Sequence, residues 1–209
     1  MNKILVDGDK YFLSEDIKSI AVEGNATIYI NDLADFSLNI KLLDNSSLSI
    51  YDFTRKCGNK EIEVTHTNNT KLSYFHTFKV SDKYNFKYKA FFNGNNNIDD
   101  INVSGVSHGL VNLDIDGVVI DNIKNNVLNE NIKVLTIGGK CITSPMLHIN
   151  TKEVIANHNT AISNIRDDEL FYLKSKGIDV NSAIKLIEDG YIYGYFKKFD
   201  EEFYNLIKE

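Results

Sequence analysis

The sequence predicts a mainly β protein: a parallel β-helix over about residues 1–160, followed by a small helical segment over 161–209. Three observations point there. Apolar and polar residues alternate with period 2 up to about residue 157, the pattern of strands with one buried face. The alternating runs recur at about ten-residue intervals, with Asn, Gly, Asp or Ser between them. After about residue 165 the apolar spacing becomes helical. Strand spacing alone also admits a sandwich or a barrel, and no strict repeat decides between them. The β-helix is favoured because two-residue hairpin dipeptides are scarce, with Asp7-Gly8, Asn93-Gly94 and Asp116-Gly117 as the exceptions. It is favoured too because Asn, Ser and Thr crowd the corners, where stacked coils can share hydrogen bonds.

The strands follow in order. Ala26, Ile28 and Ile30 alternate with Thr27 and Tyr29, and Leu38, Ile40 and Leu42 with Ser37, Asn39 and Lys41. Leu48 and Ile50 alternate with Ser47 and Ser49. Leu72, Tyr74, His76, Phe78 and Val80 share one face, as do Phe86, Tyr88, Ala90 and Phe92. Shorter runs lie at Val111-Leu113-Ile115, Val118-Ile120, Leu135-Ile137 and Leu147-Ile149. Doubled asparagines (Asn68-Asn69, Asn95-Asn96-Asn97, Asn125-Asn126) mark tight corners, because Asn tolerates left-handed backbone and caps turns. Asp167-Asp168-Glu169 starts a helix that carries Leu170 and Leu173 and closes at Gly177, with Ile178 as its hydrophobic contact. Asp179 caps a second helix with Ala183, Ile184 and Ile187, expected to end at Gly190. Tyr191 to Glu209 reads as a third helix striped by Phe196, Phe199, Phe203 and Leu206. The helices are expected to dock on the last coil.

The 209 residues, 43% hydrophobic and 25% charged, suit one soluble core with a small appendage. A net charge of -6 argues against nucleic acid as a partner. Lys83, Lys87 and Lys89 lie beside Asp82 on an alternating segment and read as a solvated strand face. No apolar stretch reaches the roughly 18 residues of a membrane span, and the N-terminus turns charged too soon for a signal peptide. Cys57 and Cys141 form neither a CxxC pair nor a disulfide framework, so a cytoplasmic location is expected.

Catalytic signatures are missing from the sequence. Gly138-Gly139-Lys140 echoes a phosphate loop, but Cys141 stands where Ser or Thr is required. No G-x-S-x-G elbow occurs. Asp114 and Asp116 could be a glycosidase or lyase pair, but carboxylates at i and i+2 on one strand normally form an outer face, with Leu113 and Ile115 inside. Cys57 sits in a polar turn without a partner, and His76 reads as a core histidine. His66, His108 and His148 have no metal-ligand spacing.

Pro145-Met146-Leu147-His148-Ile149, then Val154-Ile155-Ala156-Asn157-His158, then Asp168-Glu169-Leu170-Phe171-Tyr172-Leu173-Lys174-Ser175-Lys176-Gly177-Ile178 resemble the C-terminal signature of SufB and SufD proteins. Ala183 to Gly190, followed by Tyr191, resembles that family's closing helix. The resemblance is concentrated in residues 132–192. It implies a right-handed parallel β-helix and a non-enzymatic core subunit of iron–sulfur cluster assembly. Such a subunit pairs through its β-helix with a SufB-like subunit or a second copy, and it binds a SufC-like ABC ATPase through its C-terminal helices. It implies no stably bound cofactor, at most a transient iron–sulfur cluster. Typical members also carry a helical N-terminal domain, which is expected to be absent here. The cysteine of the SufB pattern falls on Ile132 and its glutamate on Asn159, while a cysteine frequent in SufD falls on Ala156. The chain therefore resembles SufD more closely.

The resemblance makes His158 the first candidate for a cluster or metal contact, since a neutral imidazole can ligate iron; residue chemistry alone would make it a satisfied polar residue at the end of the last coil. Cys141 is the second candidate, a thiol that Lys140 could activate, against the plainer reading of a small corner residue. Leu170, Phe171, Tyr172, Lys174, Ile178 and Ile187 are the expected ATPase-binding residues, with Phe171 facing outward. The rival readings are a β-helical carbohydrate-active enzyme and a diverged homodimeric binding module without cluster function.

Overall fold

The computed structural model describes residues 3–6 and 10–208, with side chains described from Lys10 onward except that of Phe199. The strands in chain order are β1 (Lys3–Val6), β2 (Lys10–Phe12), β3 (Ser19–Val22), β4 (Asn25–Asn31), β5 (Phe36–Leu42), β6 (Ser47–Thr54), β7 (Gly58–His66), β8 (Lys71–Val80), β9 (Tyr84–Phe92), β10 (Ile98–Ser107), β11 (Leu110–Val119), β12 (Asn126–Thr136), β13 (Lys140–Ile149) and β14 (Val154–Asn164). Three helices follow: α1 (Asp167–Ser175), α2 (Val180–Phe199) and α3 (Glu201–Lys208). Odd-numbered strands form one sheet in sequence order and even-numbered strands the other, and neighbours are parallel throughout the described residues. The chain is thus a two-sheeted β-solenoid. Strands begin earlier than the alternation suggested and run on to Asn164.

Asparagine makes the corners. Asn45, Asn69, Asn96 and Asn125 have φ of 65°, 56°, 60° and 57°, a region that Asn enters more readily than most residues. They stack, each Nδ2 donating to the Oδ1 of the residue one coil earlier at 3.1, 3.0 and 3.0 Å. The doubling has a physical reason. After Asn96 and Asn125 the next asparagine turns inward and is buried: Asn97 Oδ1 accepts from the Thr70 N–H at 2.9 Å, and Asn126 Oδ1 from the Asn97 N–H at 3.0 Å. The corner residues are 24, 27 and 29 positions apart, so coils of unequal length conceal the repeat. Asn93-Gly94 is one of these corners and Asp116-Gly117 lies within β11, so neither makes a hairpin; Asp7-Gly8 falls outside the described residues.

Inward-facing residues stack in register. Leu38, Ile62, Tyr88 and Ile115 form one such column in the first sheet, and all four are buried. Polar groups also enter the interior. Lys60 Nζ lies 2.6 Å from Asp52 Oδ1, and both side chains are fully buried. The Tyr74 hydroxyl donates to Asp52 Oδ2 at 2.6 Å, and His76 Nδ1 lies 3.0 Å from the same oxygen. Burial pushes the Asp52 carboxyl up, but Lys60 and His76 together outweigh it and hold it below the ordinary carboxylate range. His76, stacked on Phe86 at 4.3 Å, is the core histidine its alternation predicted. His66 is another, between Thr70 and Asp99 at 2.8 and 3.1 Å.

The helices depart from expectation in two ways. They do not close the end of the solenoid: α2 and α3 lie across the outer face of the even-numbered sheet, where Ile192, Phe196, Phe203 and Ile207 pack on Tyr29, Tyr51, Phe53 and Phe75. Nor does the second helix stop at Gly190; α2 continues to Phe199. A helical glycine costs about 1 kcal/mol relative to Ala, and burying Ile192 and Phe196 beyond it outweighs that cost. The third-helix stripe divides accordingly, Phe196 on α2 and Phe203 on α3; the Phe199 side chain lies outside the described residues. Buried Glu188 fastens α2 to the sheet through Lys79 at 2.6 Å and His108 at 2.9 Å. The short connections behave as predicted. Gly177 (φ 83°) and Ile178 close α1 with N–H bonds to the Lys174 and Leu173 carbonyls at 2.9 and 3.2 Å. Asp179 caps α2 by accepting from the Asn181 and Ser182 N–H groups at 3.0 and 3.1 Å.

Candidate functional site

The last coil is the exposed end of the described solenoid. Strands β13 and β14 terminate their sheets and expose Ile142, Met146, Leu147, Ile149, Ile155 and Ile162. An edge of this kind carries backbone groups and apolar side chains able to pair with another chain.

His158 stands on this edge. One inward column of the even-numbered sheet runs Ile28, Ile50, Tyr74, Ile101, Glu130, His158, so an apolar ladder turns polar in its last two steps. His158 Nδ1 lies 2.8 Å from Glu130 Oε2, and Nε2 lies 2.8 Å from the Thr160 hydroxyl. The histidine side chain is 27% exposed, that of Glu130 wholly buried. Burial, with lesser contributions from Asp99 and Asp116, pushes the Glu130 carboxyl up to about 8. Sequence reasoning missed Glu130. The available signal was a charged residue at an inward position between Leu128 and Ile132.

Ile132 is buried directly beneath Thr160. Asn159 faces the other way, its Nδ2 donating to Asn131 at 3.1 Å. Asn157 and Asn159 end two outer asparagine rows that, with Asp100, Asn102, Asn129, Asn131 and Tyr195, line a polar groove of about 520 Å³ beside α2. His158 also borders this groove.

Cys141 lies on β13, in the other sheet, packed against the main core. Burial pushes its thiol up to about 11, so it is held protonated at neutral pH rather than activated by Lys140. Cys57 is half-buried against the same core. Asp114 and Asp116 are in register with Lys87 and Lys89, but Asp116 is buried rather than solvated, and burial pushes its carboxyl up. Among the described residues, no three His, Cys, Asp or Glu side chains gather around a point that could hold a metal ion. His158 is therefore at most one member of a shared ligand set.

The helical candidates separate by exposure. Phe171 is 76% and Tyr172 60% exposed, with Lys176 over the Tyr172 ring at 5.5 Å. Lys174 is exposed, Leu170 and Ile178 are half-buried, and Ile187 packs toward the cluster between α2 and the sheet. Phe171 thus faces outward as expected, and α1 contacts α2. Among the described residues no helix is long and apolar enough to cross a membrane.

Residues 120–191, which hold the His158 edge, α1 and the first part of α2, match the family model described as the SufBD core domain of the SUF system for FeS cluster assembly. An iron–sulfur cluster assembly SufBD family protein of Mycobacterium tuberculosis is 38% identical over 65 residues, 31% of this chain and 16% of that protein. A Mycobacterium leprae protein of the same description matches to the same extent. The ycf24 SufBD family protein of Galdieria sulphuraria is 33% identical over 61 residues, 29% of this chain and 28% of that protein. The similarity thus spans less than a third of each of these relatives. This segment, about a third of the chain, is thus similar to SufB/SufD family proteins.

Proposed function

We propose that the chain is a non-catalytic core subunit of an iron–sulfur cluster assembly complex in the cytoplasm. In this reading β13 and β14 pair with a SufB-like subunit or a second copy, and α1 with the start of α2 receives a SufC-type ATPase. His158 contributes one ligand to a transient cluster built at the shared edge. The observation that carries the reading is the last coil: the segment most similar to SufBD proteins contains two exposed edge strands rich in apolar side chains, with His158 on the second of them. A protein built to remain alone would ordinarily blunt such an edge with charge or cover it.

Light scattering and pull-down with a SufB-like subunit test the pairing. Met146→Asp and Ile155→Asp replace exposed side chains; they are expected to abolish pairing while leaving the melting temperature nearly unchanged. A strict monomer that binds no SufB-like protein would refute the reading. Stable self-pairing that never supports cluster assembly with the partner proteins would identify a homodimeric binding module instead.

A further inference from the structure

We infer that Glu130 is the positioning residue for His158, holding Nδ1 so that Nε2 is the atom offered to a metal. The inference rests on the reading of His158 as a ligand, and it concerns how the ring is presented. Glu130 occupies a ladder position filled in earlier coils by Ile28, Ile50, Tyr74 and Ile101. An apolar residue would satisfy that position, so packing does not require a carboxyl there. Burying one is costly unless it is paired. Among the described residues its Oε1 has no hydrogen-bond partner, and Oε2 is directed at His158 Nδ1 at 2.8 Å. The one directed hydrogen bond of this buried acid is therefore spent on the histidine.

The consequence is geometric. With Nδ1 tied inward, Nε2 points along the edge toward the Thr160 hydroxyl at 2.8 Å. That hydroxyl is exposed and displaceable. With a metal bound, the Nε2 lone pair would be the donor, any proton on Nε2 would leave to solvent, and the hydrogen bond between Nδ1 and Glu130 would be kept. A carboxyl group behind a ligating imidazole fixes ring orientation, and losing such a partner typically weakens metal binding about 10–100-fold. Glu130 has no counterpart in the motif that singled out His158; only the register Glu130↔His158 brings the two together.

The test uses the full chain with ¹⁵N-labelled histidine rings and Zn²⁺ as a diamagnetic probe, with His158→Ala assigning the signals. In the wild type the coordination shift is expected on Nε2 of His158. Glu130→Met keeps a side chain suited to the apolar ladder and removes the acceptor. It is expected to stay folded by thermal melt, to bind Zn²⁺ about tenfold or more weakly, and to spread coordination over both ring nitrogens. Glu130→Gln, which retains one acceptor, should fall between. Coordination through Nδ1 in the wild type, no coordination at His158, or unchanged affinity and nitrogen preference in folded Glu130→Met would overturn the inference. Cluster assembly unaffected by His158→Ala would remove the ligand role from the proposed function while leaving the ring measurements standing, so the two readings fail separately.

Discussion

Replacing Lys60 with Met tests whether the ion pair inside the solenoid is held together as the geometry implies. Lys60 lies in register between Phe36 and Phe86, so methionine can fill the volume of its aliphatic stem. What is lost is the ammonium 2.6 Å from Asp52 Oδ1. Asp52 then keeps only the Tyr74 hydroxyl at 2.6 Å and His76 at 3.0 Å. Removing one partner of a buried pair typically costs about 3–5 kcal/mol. The carboxyl can escape by taking a proton, which at pH 7 costs about 1.4 kcal/mol for each of roughly three units above an ordinary aspartate, or about 4 kcal/mol. The expected loss at pH 7 is therefore about 3–4 kcal/mol, measured as a lower urea midpoint at unchanged slope. The sign with pH follows. The depressed Asp52 carboxyl contributes stability to the wild type above its unfolded pKa, and that contribution is lost as pH falls. In Lys60→Met the carboxyl escapes by protonation, whose cost shrinks as pH falls toward the ordinary aspartate range, so the gap between variant and wild type should narrow toward pH 4. A loss below about 1 kcal/mol at pH 7, or a gap independent of pH, would refute the reasoning.

Glu130 should act in the opposite direction. Its carboxyl is raised to about 8 in the folded chain, so the folded state holds more protons than the unfolded one above pH 4.5; stability should fall as pH rises toward 8, by at most about 1.4 kcal/mol per unit, and Glu130→Gln should flatten the slope in urea titrations across that range. Glu188→Ala leaves His108 and Lys79 without their shared acceptor, and chemical denaturation should show a loss of about 1–3 kcal/mol, with hydrogen exchange rising first in α2. Asn96→Val forces a β-branched residue into φ 60° and breaks two rungs of the corner ladder; its melt should show a loss of about 2 kcal/mol, whereas Asn96→Gly, which tolerates the backbone, should lose about half of that or less. Phe171→Ala should change stability by less than about 0.5 kcal/mol, since Phe171 is 76% exposed; calorimetry against a SufC-type ATPase should register a binding loss of about 1–3 kcal/mol if the side chain is an interface anchor.

The chemistry of individual residues decided the local structure. Alternation set which side chains face inward because a strand's period is two. Asparagine doublets marked the corners because few other residues tolerate left-handed backbone and also cap the next strand. Gly177 and Asp179 announced the helix boundaries that the structure contains. Local reading failed at Gly190, where a weak helix former sits in the middle of α2 because burial of Ile192 and Phe196 against the sheet outweighs its propensity.

By itself, then, the sequence determined the face on which each strand residue lies, the corners, and the segment that is similar to SufBD proteins. Only the tertiary structure decided which residues stand above one another. Strand period constrains a side chain's face but not its partner, and coils of 24 to 29 residues hide the register from any fixed spacing. That is why His158 was legible and Glu130, 28 residues earlier, was not. It is also why the helices could be located but not placed: their aromatic stripe needed a matching surface, and the stack of Tyr29, Tyr51 and Phe75 exists only after four coils have assembled on one face.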